Sequence, residues 1–169
     1  MTAEPAAEAG SSPRYRAKVV TVSDGVVAGT REDLSGTALE EALSKAGFEV
    51  VERSVIADGI ASVAGELARV SANFAGVVVT TGGTGFTPRD QTPEGTREVV
   101  EREAPGLAEA MRLVNPLGRL SRGIAGIRSH AVILNTPGSP KGAVECVQAV
   151  IDVLPHAIDL LQDRATGHP

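Results

Sequence analysis

Residues 76–94 read GVVVTTGGTGFTPRDQTPE, and this stretch decides the fold class. Its first six residues are an uncharged, β-branched run, the signature of a central strand buried on both faces of a parallel sheet. Glycines follow at once. Thr92-Pro93-Glu94 then predicts a helix, with Thr92 as N-cap, Pro93 at the first helical position and an acid in the first turn, running to about Arg102. A loop that leaves the carboxyl end of a central strand is where open α/β sheets bind ligands.

Outward from this corner, AKVVTVS (17–23) predicts the first buried strand. Leu39, Ala42, Leu43 and Ala46 share one face of a helix over 35–47, with Gly47 as its stop. FEVVERSVI (48–56) predicts a second strand, and Ile60, Val63, Ala64 and Leu67 mark a second helix. Pro105 to Val114 predicts another. RGIAGIRSHAVILN (122–135) reads as two strands joined by a tight turn near Ser129, an antiparallel pair inside an otherwise parallel sheet. The loop TPGSPKG (136–142) leads to a last helical region that Pro155 kinks or restarts through about Leu161. Residues 15–163 are thus expected to form a single domain, between a disordered tail at 1–14 and a short tail at 164–169.

The composition narrows the function. The chain has 169 residues, 16 basic and 21 acidic, for a net charge of −5, and only Tyr15, Phe48, Phe74 and Phe86 are aromatic. An acidic chain so poor in aromatic rings is not expected to bind nucleic acid. No apolar stretch approaches the ~20 residues that span a bilayer. Cys146 is the one cysteine, which excludes an intramolecular disulfide and a cysteine-cluster metal site and fits a reducing, cytoplasmic setting.

The glycine loop can turn backbone N–H groups inward around an anion, or serve only as a turn. Asp90 stands between that loop and the positive end of the Thr92 helix, as a Mg²⁺ ligand beside bound phosphates or as compensation of the helix dipole. Asp58 follows the second strand and could reach the same crevice, although Asp58-Gly59 on its own reads as a turn and N-cap. NTPGSPKG (135–142) repeats the order strand, loop, helix, either as a second anion site or as a rigid connection. Residues 110–144 carry Arg112, Arg119, Arg122, Arg128 and Lys141 with no acid, a local basic field or a set of solvated side chains. The histidines have no spacing for a metal site or triad, and nothing in the sequence activates Cys146, so no protein nucleophile is expected.

The order VVTVSDG, SG, DG, TTGGTG-x-x-x-x-D-x-T-P-E, LSRG and NTPGSPKG resembles the Mog/MoaB family, the molybdopterin adenylyltransferases of molybdenum cofactor synthesis, also found as the G domain of gephyrin. The resemblance covers about residues 17–161. It implies a three-layer α/β/α fold whose mostly parallel mixed sheet carries one antiparallel strand, and a homotrimer. It further implies Mg²⁺-dependent transfer of AMP from ATP to the terminal phosphate of molybdopterin, with release of pyrophosphate. By the same resemblance, Asp90 and Asp58 are the catalytic and metal-binding aspartates. Thr81, Gly82, Gly83, Thr84 and Gly85 become the nucleotide or phosphate loop, and Ser121, Arg122, Pro137, Gly138 and Ser139 line the pterin side. Ser35-Gly36 fits the family pattern with no role attached, and Arg89 and Gln91 stand at positions that pattern leaves open.

Such a reaction asks for positioning and charge neutralisation rather than a protein nucleophile, in agreement with the residue inventory. Three other readings compete. The same domain occurs in competence/damage-inducible-type proteins that cleave nucleotide pyrophosphates, and in molybdate-insertion proteins, both usually longer chains. A MoaB-type paralogue could instead bind a pterin, or scaffold other molybdenum cofactor enzymes, without turnover.

Overall fold

The computed structural model describes residues 15–164; the tail expected at 1–14, and residues 165–169 of the C-terminal one, lie outside them. Six strands form one sheet in the order β2-β1-β3-β6-β5-β4. They are β1 (Tyr15–Val22), β2 (Phe48–Ile56), β3 (Gly76–Thr81), β4 (Arg102–Glu103), β5 (Ala125–Arg128) and β6 (Ala131–Thr136). β1 pairs in parallel with β2 and β3, and β3 with β6. β5 pairs antiparallel with both β6 and β4, so it alone runs against the rest, as expected.

Alternation along the central strands explains their continuous apolar reading. Val77, Val79, Val132 and Leu134 face one layer, while Val78, Ala131 and Ile133 face the other. The first layer holds α2 (Leu34–Lys45), α5 (Pro105–Leu113), α6 (Pro140–Gln148) and α7 (Leu154–Leu161), through Leu39, Leu43, Met111, Val147, Leu154 and Ile158. The second holds α3 (Ile60–Ser71), through Val63, Leu67 and Val70, with α4 (Thr92–Arg97) packed on it. Both faces of the sheet are covered, as parallel strands require.

Several boundaries differ from expectation. α4 ends at Arg97, about five residues early, because Glu101 and Ala104 donate to the carbonyls of Ile127 and Ala125 and draw the chain into β4. Its N-cap is Gln91; the Thr92 hydroxyl instead donates to the Gly82 carbonyl at 2.8 Å. β5 starts at Ala125, since Arg122 is spent on the glycine loop, while the Gly123 N–H donates to the Ser121 hydroxyl and its carbonyl accepts from Arg112. Pro155 restarts the chain in the first turn of α7 after the turn that follows α6. A one-turn helix α1 (Asp24–Val27) and a 3₁₀ segment at Pro116–Leu120 carry no sequence periodicity.

Candidate functional site

Register sets the site. Thr21, Thr81 and Thr136 are Cα partners across β1, β3 and β6, so three strands end level and release three loops at one edge. The Gly82 N–H donates to the Thr136 carbonyl at 3.1 Å and the Thr81 hydroxyl to Pro137 at 2.8 Å, which seams the two loops together. A Cβ on Gly138 would lie 3.5 Å from the Gly82 Cα, in van der Waals contact, so the two loop backbones run side by side. Gly82 and Gly83 both take positive φ, +100° and +70°. A side chain on Gly82 would meet the Val22 carbonyl at 2.3 Å, and one on Gly83 would meet the Thr92 Oγ1 at 2.1 Å.

The loops border a cleft of about 950 Å³. Thr81 to Gly85, Asp58, Asp90, Ser121, Pro137, Gly138 and Ser139 all line it, eleven of the twelve residues expected from the sequence. Arg122 is the exception. Its guanidinium lies behind the glycine loop, where it donates to the Gly85 carbonyl at 2.8 Å, to the Asp90 carbonyl and to the Glu94 carboxylate. Its own N–H donates to the Thr84 carbonyl at 2.9 Å. One arginine therefore fixes both ends of the segment from Thr84 to Asp90. Burial pushes the Glu94 carboxyl up, but Arg122, aided by the Glu94 N–H and Arg97, more than offsets this and holds it below the usual carboxylate range.

The two aspartates are held rigidly. Asp90 Oδ2 accepts from the N–H and hydroxyl of Thr87, at 2.9 and 2.8 Å. Asp58 does not cap α3, whose N-cap is Gly59 with φ +127° and no side-chain bond. Its Oδ2 accepts from the Asp24 N–H at 3.0 Å, and its own N–H donates to Asp24 Oδ1 at 3.1 Å. Arg89 closes over this reciprocal pair. It donates to both carboxylate oxygens of Asp24, at 2.9 and 3.1 Å, and to the Asp58 carbonyl at 2.9 Å. The Arg89 bond lowers the Asp24 pKa below the ordinary value.

Asp24 and Arg89 went unassigned in the sequence. The signal available for Asp24 was its position just past the end of β1, matching that of Asp58 just past β2. Asp33 was also missed. It caps α2 by accepting from Gly36 N–H at 3.0 Å while accepting from the Thr21 hydroxyl at 2.9 Å and from Arg53.

The basic field is reduced by folding. Arg112 and Lys141 line the cleft with Arg31, but Arg119 and Arg128 turn to the carbonyls of Pro116 and Val99. Glu32, Asp33, Asp58 and Asp90 border it too, so the cleft wall carries four carboxylates against three cations. An acid-free stretch in the chain is not an acid-free cleft, because the loops that follow β1, β2 and β3 bring their acids from elsewhere in the sequence. The N-terminus of α6, capped by Ser139 accepting from the Gly142 N–H at 3.1 Å, opens on the same space and favours an anion there. Cys146 also borders it, but burial and Glu145 push its thiol up to about 11. That leaves it protonated and poorly nucleophilic at neutral pH.

Known proteins share this architecture. Residues 18–156 match the family described as "Probable molybdopterin binding domain". A molybdopterin adenylyltransferase of Helicobacter pylori strain J99 is 39% identical over 150 residues, 85% of each chain. That of Escherichia coli K12 is 39% identical over 145 residues, 81% of this chain and 74% of the other. The solved structure of the molybdopterin biosynthesis enzyme MoaB from Thermus thermophilus superposes with a TM-score of 0.83 at 44% identity, covering 89% of this chain and 98% of that one. With a family match across nearly the whole sheet and relatives this similar over most of their length, the chain belongs to the molybdopterin-binding domain family of Mog and MoaB proteins of molybdenum cofactor biosynthesis.

Proposed function

We propose that this protein is a molybdopterin adenylyltransferase that uses ATP. An oxygen of the terminal phosphate of molybdopterin attacks the α-phosphorus of ATP. A new P–O–P bond forms, the α–β bond breaks, and pyrophosphate leaves with the bonding electron pair. The observation that carries this reading is the convergence of two glycine loops and two rigidly held aspartates on one cleft, beside a thiol too basic to act as nucleophile.

The chain's residues act by placement. Amides of Gly83 to Gly85 can cradle phosphate oxygens, the Gly82 N–H being held by the Thr136 carbonyl, and the α6 N-terminus with Lys141 can hold the second anion. Arg122 keeps the first loop in shape. Two anions repel strongly in a cleft that itself carries more carboxylates than cations, so reaction needs countercharge from outside. Asp58 and Asp90 fit a Mg²⁺ ion that arrives with ATP. Each has one oxygen engaged in the protein and Oδ1 available, and among the described residues no group of three or more His, Cys, Asp or Glu side chains gathers. Mg²⁺ is commonly held in this way, by one or two carboxylates plus water and substrate phosphates. When bound, it would neutralise charge on the departing pyrophosphate.

We also infer a homotrimer in the cytoplasm, without nucleic-acid or membrane partners. Leu113, Val114, Leu117 and Leu120 are exposed beside the cleft, a surface suited to another copy of the chain. Among the described residues no helix is long and apolar enough to cross a membrane. A second reading, binding of a pterin or scaffolding of other cofactor enzymes without turnover, is favoured by the structural duty that each aspartate already performs. Incubation with molybdopterin, ATP and Mg²⁺ separates the two: adenylylated pterin and pyrophosphate support the transferase, and binding without product supports the scaffold.

A further inference from the structure

We propose that Arg89 is a phosphate-binding residue of the nucleotide site, parked on Asp24 until ATP arrives. The inference rests on the adenylyltransferase reading and adds to it a residue that neither the sequence motif nor the cleft lining includes.

Arg89 immediately precedes Asp90, so its backbone is fixed at the shoulder of the glycine loop by the Asp90–Thr87 turn and by Arg122. From there its guanidinium reaches over the rim between the two aspartates to Asp24 and the Asp58 carbonyl. It thus lies at the edge of the space where phosphates would sit. The Arg89 side chain is 61% exposed and that of Asp24 47%, and ion pairs so open to water are weak and easily exchanged. A phosphate offers a pair of oxygens that the guanidinium can grip with two N–H bonds, as it grips a carboxylate, and carries more charge. Mg·ATP entering beside Asp90 would therefore draw the guanidinium off Asp24. The Asp24–Asp58 backbone clasp would remain, since it does not involve Arg89.

The alternative is that Arg89 is a permanent strap that holds α1 to the glycine loop. The two roles predict opposite effects of Asp24→Asn, which keeps an oxygen for the Asp58 N–H but removes the charge that competes for Arg89. Mg·ATP affinity is measured by calorimetry without molybdopterin, and adenylyl transfer is measured separately, on folded wild type, Arg89→Ala, Arg89→Lys and Asp24→Asn. A phosphate-binding role predicts affinity about tenfold or more weaker in Arg89→Ala, intermediate in Arg89→Lys, and about two- to fivefold tighter in Asp24→Asn. If Arg89→Ala and Asp24→Asn both weaken binding, or if Arg89→Ala leaves it unchanged, while wild-type transfer proceeds, the role of Arg89 is overturned and the transferase stands. A wild-type protein that binds no Mg·ATP overturns both.

Discussion

The Thr92 hydroxyl donates to the Gly82 carbonyl at 2.8 Å, and a Cβ on the next residue, Gly83, would come within 2.1 Å of that same oxygen. The first residue of α4 and the tightest point of the glycine loop are thus one unit. Because Thr92 is fully buried, it cannot yield. Gly83→Ala should destabilise the fold by roughly 2–4 kcal/mol, from positive φ and the overlap combined. Chemical denaturation checks this; a loss within 0.5 kcal/mol, about the noise of surface substitutions, would show the loop to be loose.

Arg122 braces the same loop from behind. Arg122→Ala removes three side-chain bonds and leaves Glu94 without its partner, an expected loss of about 1–3 kcal/mol. The pH dependence gives it a signature. Glu94 has a depressed pKa in the folded protein, so its pairing stabilises above the unfolded carboxyl pKa and is lost as pH falls through the folded one. The gap in melting temperature between wild type and Arg122→Ala should therefore narrow below about pH 4. A gap that widens in acid contradicts the pairing.

Asn135 ties β6 to three neighbouring segments from a buried position. Its amide donates to the hydroxyls of Thr80 and Thr96 at 3.0 Å each, and its carbonyl oxygen accepts from the Ile124 N–H at 3.1 Å. Asn135→Ala orphans the Ile124 N–H and removes the donor that the Thr80 and Thr96 hydroxyls accept from, and should cost about 2–4 kcal/mol by urea denaturation. Asn135→Asp should not rescue it, since a carboxylate cannot donate to either hydroxyl while remaining charged.

Cys146 should resist alkylation by iodoacetamide at pH 7–8, with a rate that rises as pH approaches the thiol pKa of about 11. Fast modification at neutral pH would show an activated thiol and reopen the question of a protein nucleophile.

Much of this was legible in the residues, for local reasons. β2 at 48–56 and β3 at 76–81 match expectation to the residue, because Gly47 and Gly82 leave the strand or helix geometry on either side no room to continue. The turn near Ser129 was legible too, and Ser129 takes φ +51° there. What could not be read depends on partners distant in sequence. α4 stops at Arg97 because β5, some 25 residues on, pairs with the chain that follows it. Arg89 reaches Asp24 across 65 residues, and Arg122 turns away from the cleft to serve a loop 37 residues earlier. No periodicity encodes either contact, and the acids that counter the basic stretch enter the cleft only through the fold.

As proposed, Asp90 at the mouth of the glycine loop serves a reaction and not only a turn. Adenylyl transfer from ATP to molybdopterin with Mg²⁺, followed by pyrophosphate release in wild type and in Asp90→Ala, tests it most directly. Product is expected from wild type, and loss of turnover by about 100-fold or more in Asp90→Ala, with pterin binding and melting temperature largely kept. Undiminished turnover in Asp90→Ala would contradict it.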